Sequence, residues 1–330
     1  MPAYFTSGWL GNGERAWHGE GVVTNGTLPA REAFETANAL FSVEKRELTY
    51  PVFSLDAHGM PDTFTHKGTG SFGVIRTDTD QLLGIVSKQY EMVQNEALLR
   101  MAEFIREEVD MDSVVVLSDG ARIAFTATLR GATKEVVPGD SVKRRIVGYL
   151  GHDGKTGCGA IFTNVRVVCS NTLAAAMASK NKVSIRHSTG ANASFESLIT
   201  SIDVARESFT QEVDAMRELA ETHIDYDTFK EYLERVYEQE IPDGRQLSDL
   251  RKYPKLLRCY HIGNGSEFAS NSLWNAVNAV TEVETSTKIG YVAQTAAQQR
   301  RQFARANFGP GLDMSRQALK VASGMLTEVG

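Results

Sequence analysis

The sequence lacks the long apolar segments that mark a membrane protein. Nowhere do about 18 consecutive residues read as apolar and uncharged. The first residues also lack the basic and apolar leader of a secreted protein. Because 42% of the residues are nonetheless hydrophobic, the chain can build a sizeable core. We therefore expect a globular, cytoplasmic protein with no membrane partner.

Cysteine is also scarce, and its spacing argues against two kinds of site. Cys158, Cys169 and Cys259 are odd in number and form no CxxC pair, which disfavours both a disulfide framework and a zinc site. The seven histidines contain no HxH, HxxxH or HExxH pair. We expect buried thiols, no bound metal and no cofactor.

Two glycine-rich segments come close to nucleotide-binding motifs without fulfilling them. Residues 148–156, GYLGHDGKT, hold the glycines of a Walker A loop one residue too far apart, and a strand pattern follows where that loop needs a helix. Residues 68–73, GTGSFG, match GxGxxG, but a strand and a turn again follow. The first segment therefore predicts a β-hairpin turn, and the second predicts glycines at a bend.

The strongest positive signal lies in residues 122–173. Three apolar or alternating runs, at 122–129, 145–150 and 160–168, are separated by turn-forming residues. In the first run Ile123, Phe125, Ala127 and Leu129 alternate with polar or small residues, which is typical of a strand with one buried face. These runs predict an antiparallel sheet.

The connections within this stretch are also readable. Asp153-Gly154 predicts a tight hairpin between the second and third runs, because glycine supplies the positive φ that such a turn needs. The segment LAAAMASK, which starts at Leu173, predicts a helix with Ser170 or Asn171 as its N-cap. Earlier in the chain, Asn95 is predicted to cap another helix.

Catalytic groups are missing from the predicted sheet. The three runs carry no acidic residue, whereas a metal-dependent nuclease needs carboxylates held together across its sheet. Cys169 would lie where a helix dipole can lower a thiol pKa, but its neighbours Val168 and Ser170 favour a buried structural thiol. We predict no catalytic residue and no enzymatic activity.

The longest periodic signal predicts an amphipathic helix after the sheet. Apolar residues recur in steps of three and four with acidic residues beside them, at Phe195, Leu198, Ile202, Ala205, Phe209, Val213, Met216 and Leu219. Two interpretations remain. The helix packs on the body with a solvated acidic back, or it forms a coiled-coil or oligomer contact.

These signals predict an α+β fold, with an antiparallel sheet core of about five strands backed by helices and a mostly helical C-terminal part. Residues 1–30, with Trp9 and Trp17 among many glycines, predict an extended N-terminal arm that needs a partner surface. Residues 31–190 form the predicted α+β core domain, and residues 191–330 form the predicted helical C-terminal region.

Three segments carry a resemblance to a known family: NVRVVCSNTL at 164–173, SLWNAVNAVTE at 272–282 and RRQFARANFGPGLDMSRQAL at 300–319. Together they resemble the phage- and plasmid-borne proteins of the domain-of-unknown-function 932 family, over nearly the whole chain. That family implies no activity. A more distant likeness in topology is to the phage single-strand annealing proteins, and it implies single-stranded DNA binding or annealing in recombination, and a homo-oligomer.

The charge distribution supports that hypothesis only locally. A net charge of -6 argues mildly against binding nucleic acid, but the sheet region is basic. A polar sheet face lined by cations could follow a phosphate backbone. The predicted nucleic-acid-binding residues are Arg122, Lys143, Arg145, Lys155, Asn164, Arg166, Lys180 and Arg186. The competing interpretation is that arginines such as Arg122 and Arg166 pair with acids from the helices.

Two further possibilities stay open. Residues 250–260 are basic and contain Tyr253 and Tyr260, so this segment could hold a phosphate and stack a base, or could be a solvated loop. The alternative function is that of a non-enzymatic phage or plasmid accessory protein, which would bind a host protein or a small signal molecule as a counter-defence factor does.

Overall fold

The computed structural model describes residues 5–11, 21–55, 58, 60–166, 171–174, 182–185, 191–285, 288–289, 292–293 and 310–329 of the 330-residue chain. Within these ranges sheets and helices alternate along the N-terminal half, and helices dominate after residue 190. The α+β class predicted from the sequence is confirmed.

The strands are β1 (Phe5–Leu10), β2 (Val22–Val23), β3 (Val43–Leu55), β4 (Pro61–Arg76), β5 (Gln81–Val86), β6 (Val109–Leu117), β7 (Arg122–Val137), β8 (Asp140–Gly151), β9 (Cys158–Arg166), β10 (Asn171–Ala174), β11 (Lys182–Ile185), β12 (Lys288–Ile289) and β13 (Val292–Ala293). The helices are α1 (Ala30–Thr36), α2 (Glu96–Phe104), α3 (Ala191–Glu221), α4 (Tyr226–Val236), α5 (Tyr253–Ile262), α6 (Leu273–Thr285) and α7 (Pro310–Val329). No helix in the described ranges is both long and apolar enough to span a bilayer.

The main sheet runs in the order β10-β9-β8-β7-β6-β1-β2, and β11 also pairs with β9. Its neighbours are antiparallel except for β1 and β2. The β7–β8 hairpin closes with Val137 opposite Asp140, so Pro138 and Gly139 form a two-residue turn. Gly139 has φ +85°, which a residue with a side chain rarely adopts. A separate three-stranded sheet has the order β3-β4-β5.

One side of the main sheet, the core face, carries the alternating apolar residues predicted from the sequence. Ile123, Phe125, Ala127 and Leu129 are each at most 1% exposed. Phe34 of α1 packs on Phe125 with ring centroids 6.3 Å apart, and residues of α2, α3 and α6 join the same cluster. The helices therefore lie on the face that the period-two pattern selects.

The long helix α3 confirms the predicted amphipathic pattern. Its stripe of buried side chains is Ile202, Ala205, Phe209, Val213, Met216 and Leu219. Because this stripe belongs to the main hydrophobic cluster, α3 packs on the body of the protein, as the first of the two interpretations predicts. Its outward positions, including Asp203, Glu207 and Glu218, are exposed.

A buried ion pair fixes α3 on the core face. Arg144 of β8 has no exposed surface, and its Nη1 and Nη2 donate to the Glu212 carboxylate at 2.8 and 3.1 Å. Arg144 also donates to Ser208 Oγ at 2.7 Å and to Asn164 Oδ1 at 2.8 Å, while Asn164 Nδ2 donates to Glu212 Oε2 at 2.6 Å. Two strands and one helix therefore share one network of charged hydrogen bonds.

The C-terminal helices pack around α6, which is buried at all thirteen of its positions. Several of its polar side chains are paired with neighbouring elements. Trp274 Nε1 donates to Asp140 Oδ2 at 2.9 Å, Asn275 Nδ2 donates to the Tyr260 carbonyl at 2.7 Å, and Lys252 donates to Glu284 Oε1 at 2.6 Å. These bonds tie α6 to the β7–β8 turn, to α5 and to the segment before α5.

The turn between β8 and β9 joins the two sheets. His152 in this turn is fully buried, and its Nε2 lies 2.7 Å from Asn95 Oδ1. The Asn95 amide nitrogen donates to the carbonyls of Ala39 and Phe41, so its oxygen must face the imidazole and His152 Nε2 carries the proton. Gly84 of β5 lies against the backbone of the same turn. The predicted hairpin turn thus also connects the two sheets.

Three local predictions need correction. Phe5–Leu10, part of the predicted N-terminal arm, forms β1 of the main sheet, where Trp9 is fully buried. The predicted helix after β9 begins instead as strand β10, in which Leu173 pairs with Asn164, and residues 175–181 lie outside the described ranges. Asn95 precedes α2 but does not cap it, because its amide binds the carbonyls and the imidazole named above.

Gly84→Ala tests the contact between the sheets. A Cβ at Gly84 would lie 2.5 Å from the His152 carbonyl oxygen and 2.6 Å from the Asp153 carbonyl carbon. Backbone atoms cannot move aside as a flexible side chain can, so we expect a loss of about 1–3 kcal/mol in the free energy of unfolding, measured by urea denaturation. Gly157→Ala, with open space around its Cβ, is the control and should unfold like wild type. Equal stabilities for both variants would contradict a tight contact between β5 and the β8–β9 turn.

Glu212→Ala tests the ion pair under α3. The variant leaves the Arg144 guanidinium buried without its carboxylate, and we expect the free energy of unfolding to fall by about 3–5 kcal/mol. Glu218→Ala removes an exposed carboxylate from the same helix, so its urea midpoint should match wild type. Should Glu212→Ala unfold at the wild-type midpoint, the Arg144 network would not be what holds α3 in place.

Candidate nucleic-acid interface

The side of the main sheet away from the core face was predicted to be an exposed cationic surface. On β7 it carries Arg122, Thr126 and Thr128. Thr128 lies opposite Arg145 of β8, and Arg145 lies opposite Thr163 of β9. The structure buries most of this side. Thr126, Arg145 and Thr163 are 4%, 9% and 2% exposed.

Arg145 is neutralised within the protein. Its Nε donates to Asp112 Oδ2 at 2.9 Å, and Thr128 Oγ1 donates to both oxygens of the same carboxylate at 3.1 and 2.9 Å. The side chains of Arg145 and Asp112 are 10% and 7% exposed. A phosphate would have to displace a buried, hydrogen-bonded carboxylate, so Arg145 is not presented to a nucleic-acid strand.

Asn164 lies on the other side of the sheet from Arg145. The register places it opposite Arg144, and it is fully buried in the network with Glu212. Its polar groups thus serve the packing of α3 on the sheet. The prediction that Asn164 and Arg145 line one outward polar surface is therefore wrong in this structure.

Arg122 and Lys155 lie together near the β8–β9 turn. Arg122 Nε donates to Asp153 Oδ2 at 2.8 Å, and Asp153 Oδ1 accepts from the backbone nitrogens of Lys155 and Thr156 at 2.9 and 2.6 Å. Partial burial alone would raise the pKa of Asp153, but the bonds from Thr156, Arg122 and Lys155 hold it below its usual range. Arg122 is thus paired with an ionised carboxylate, and the Lys155 side chain is exposed.

Of the remaining four candidates, Lys143 has a described side chain and the other three do not. Lys143 is half-buried and engaged within the protein. Arg166 pairs in register with Val142, but its side chain lies outside the described part of the structure. Lys180 and Arg186 lie outside the described residues altogether.

The near-miss catalytic motifs have structural roles. Gly148 stands where the Phe125 ring fills the position of a Cβ, and the segment after it is the predicted hairpin turn. Residues 68–73 lie inside or at the edge of β4, not in a loop before a helix. Cys158 and Cys259 are buried, as predicted, and burial raises the pKa of Cys158 to about 11, so it stays a thiol at neutral pH. Cys169 lies outside the described residues.

A basic helix face appears instead on α5. Leu256, Cys259 and Tyr260 are buried against the body, and the outward positions of this helix and its preceding turn carry Arg251, Lys255, Arg258 and His261, all exposed. We call these four residues the α5 face. The sequence contains no Asp or Glu from residue 250 to residue 266, so the α5 face is cationic in a protein whose net charge is -6.

The α5 helix is rigidly held, which fixes the direction of its outward side chains. Tyr260 stacks on Phe229 of α4 with centroids 3.8 Å apart and planes inclined by 13°. Lys252 turns inward and its Nζ contacts Glu284 at 2.6 Å and Glu240 at 2.8 Å. Two acids of this region, Glu240 and Glu284, are therefore neutralised by Lys252 on the inner side of the helix.

Two tyrosines lie at the start of α5. The hydroxyls of Tyr226, the first residue of α4, and Tyr253, the first residue of α5, are 3.1 Å apart. Tyr226 is 49% exposed, and the hydrogen bond between Tyr253 and Tyr226 is the main cause that raises the pKa of Tyr253 to about 12. An exposed aromatic ring thus adjoins the α5 face, which is a combination used to bind single strands.

Part of this site was readable from the sequence. The basic run at 250–260 was interpreted as a segment that could hold a phosphate and stack a base. The alternative interpretation was a solvated loop. Pro254 at the first turn and the buried spacing of Leu256, Cys259 and Tyr260 are the signals that indicate a helix. No sequence pattern shows that Lys252 alone turns inward, because its partner Glu284 is 32 residues away.

Arg145→Ala separates a structural role from a binding role. The change leaves Asp112 buried without its cation, so we expect a loss of about 3–5 kcal/mol in the free energy of unfolding, measured by urea denaturation. The affinity of the folded fraction for a labelled single-stranded oligonucleotide should not change. Lys155→Ala, which removes an exposed cation from the β8–β9 turn, should unfold like wild type. A stable Arg145→Ala variant that loses the oligonucleotide would make Arg145 a binding residue.

The chain matches a known family over most of its length. Residues 82–307 match the family model described as Domain of unknown function (DUF932), a range that includes the main strands β7 to β9 and the α5 face. No curated protein and no solved structure matches the chain, so the likeness to single-strand annealing proteins stays a prediction. Since the matched range covers more than half of the 330 residues, the chain belongs to the DUF932 family.

Proposed function

We propose that this chain is a non-enzymatic protein that binds single-stranded DNA on the α5 face and anneals complementary strands in phage recombination. The observation that carries the proposal is the cationic α5 face, which stands on a rigid helix in a segment without acidic residues. Nonspecific affinity for nucleic acid comes from clustered Lys and Arg side chains that neutralise phosphates. In this proposal the α5 face takes the place of the main-sheet surface predicted from the sequence.

The spacing of the cations suits a phosphate backbone. Lys255 and Arg258 are three residues apart, about one helical turn and roughly 4.5 Å along the axis, and Arg251 precedes them in the adjoining turn. A strand laid along the helix would meet three cations in succession. Each phosphate neutralised on a single strand contributes about 0.7 to the slope of log affinity against log salt concentration, so the α5 face should contribute about 2.

Tyr226 supplies the second element of a single-strand site. Its ring is exposed beside the first turn of α5, where a base could stack on it. Stacking on an aromatic side chain is worth about 1–3 kcal/mol per base and does not depend on sequence, because every base has a π face. A duplex keeps its bases stacked inside, so this contact favours single strands.

Acidic residues elsewhere on the protein would restrict DNA binding to the α5 face. Exposed acids such as Asp203, Glu207 and Glu218 on α3 repel a polyanion. A strand should therefore bind only where the local charge is positive, with an affinity that falls steeply as salt rises. This is the property that an experiment can measure most directly.

The triple variant Arg251→Ala, Lys255→Ala and Arg258→Ala tests the proposal. We expect it to bind a fluorescein-labelled single-stranded oligonucleotide more weakly than wild type at low salt, with a slope of log affinity against log salt that is smaller by about 2. Fluorescence anisotropy across a salt series measures both quantities. Circular dichroism and urea denaturation should be unchanged, because these three side chains are exposed.

The matched control removes the same charge elsewhere. Lys88→Ala, Arg100→Ala and Arg106→Ala take three exposed cations from the region of α2 and should leave the slope at its wild-type value. If both triple variants weaken binding equally, net charge and not the α5 face is responsible. If wild type shows no salt-dependent binding, the accessory-protein alternative, with a host protein or small signal molecule as ligand, is favoured.

A further inference from the structure

The outer part of the β3–β4 hairpin projects beyond the body of the protein. We call this part, from the Thr49–Gly68 pair to the Leu55–Pro61 pair, the hairpin arm. At its base Val43 and Val74 are 3% and 0% exposed. Beyond Thr49 β3 and β4 pair only with each other, because β5 pairs with β4 no further than Phe72. The arm is thus a two-stranded ribbon, which is marginally stable by itself in water.

Both faces of the hairpin arm carry exposed apolar side chains. Tyr50 and Phe53 are 47% and 57% exposed, and they lie on opposite faces because their positions differ by an odd number of residues. Met60, in the loop at the end of the arm, is 63% exposed. A molecule that packs on one face of this ribbon would therefore cover one of the two aromatic rings.

A second apolar surface lies at the base of the arm, on the outer side of the small sheet. A bulge in the β4–β5 pairing, between Val74 and Ile75, brings Leu82 to the same side as Ile85 while Leu83 faces the core. Leu82 and Ile85 are 44% and 60% exposed. A Cβ at Gly73 would touch both Leu82 and Leu48, so these leucines close over the glycine. We call Leu48, Leu82 and Ile85 the outer patch. Arg46, which lies across Gly73 from Ile85, shares this face and is paired with Glu44 and Asp80.

The chemistry of the arm disfavours two kinds of partner. Its sequence holds Asp56 and Asp62 against the single cation Lys67, so a polyanion would gain no electrostatic attraction. Pro51 lies on β3, which among the described strands is the edge strand of the small sheet, and proline offers no N–H to an added strand. A partner would therefore pack against the apolar faces and would not extend the sheet at this edge.

We propose that the occupant is a second copy of this chain, with the hairpin arm of each protomer packed on the outer patch of the other. A two-fold dimer requires that one chain carry both halves of a complementary contact, and this small sheet carries the arm and the outer patch side by side, with the neutralised ion pairs of Arg46 at the edge of the patch. The seven residue pairs of the arm extend roughly 24 Å at about 3.4 Å per residue.

The area that this contact would bury is adequate for a dimer. One ribbon face of that length, about 10 Å wide for two strands, covers roughly 240 Å². Two arms on two patches then bury roughly 1,000 Å² in total, near the lower end of specific protein interfaces at about 1,200 Å². The dimer should therefore dissociate on dilution, and its stability should depend on the few aromatic anchors.

Sedimentation velocity over a concentration series tests the proposal on the full chain. Wild type should shift from the 36.2 kDa monomer toward twice that mass as concentration rises. Tyr50→Ser with Phe53→Ser should raise the dimer dissociation constant at least tenfold while leaving urea denaturation unchanged, because both side chains are exposed. Phe104→Ser with Val204→Ser removes two exposed apolar side chains elsewhere and should dimerise like wild type.

Crosslinking tests the arm-to-patch geometry separately. A Phe53→Cys protein mixed with an Ile85→Cys protein and a short bismaleimide should give a covalent heterodimer in higher yield than either protein alone. A monomeric wild type at all concentrations, a dimer insensitive to the Tyr50 and Phe53 changes, or crosslinks only between like proteins would each overturn the proposal. The outcome does not depend on oligonucleotide binding, so it tests the dimer independently of the proposed role of the α5 face.

Discussion

Arg144 is a charged side chain without exposed surface, and the arrangement of the protein depends on how that charge is neutralised. Removing a guanidinium from water costs several kcal/mol unless a carboxylate and further hydrogen bonds replace the solvent. Glu212 and Ser208 of α3 and Asn164 of β9 supply those bonds. Only one position of α3 along the sheet brings all of them to Arg144. The network therefore sets the register of the helix on the sheet, which apolar contacts alone leave looser.

The same requirement explains why two arginines predicted to bind nucleic acid on the main sheet are paired within the protein. A cation on a buried strand must be paired, so Arg145 is held by Asp112 and Arg122 by Asp153. Cations can stay available to a ligand only where the surrounding surface is solvated. On α5 the inward Lys252 neutralises Glu240 and Glu284, and the outward side is left positive. Local burial, more than the number of basic residues, decides where a polyanion can bind.

The sequence predicted the structure correctly where one hydrophobic periodicity determines which side chains are buried. Alternation placed Ile123 and Phe125 on the core face, and steps of three and four located the buried side of α3. It failed where the answer depends on a distant residue. Arg145 and Asp112 are 33 residues apart, and Arg144 and Glu212 are 68 apart, so alternation predicted the face of Arg145 but not the partner of either arginine. The error at Leu173 has the same origin, since pairing with Asn164 overrides a local helix propensity.

The two proposed surfaces would reinforce each other in one assembly. In the proposed function a single α5 face would meet about three phosphates, which would give weak binding in a protein with a net charge of -6. A dimer joined through its hairpin arms would present two such faces to one strand. Once the first face is bound, the second binds at an effective concentration set by the dimer geometry, so the affinities combine without any new contact. Weak, salt-sensitive sites that are doubled in this way can hold a strand and still release it, as annealing requires.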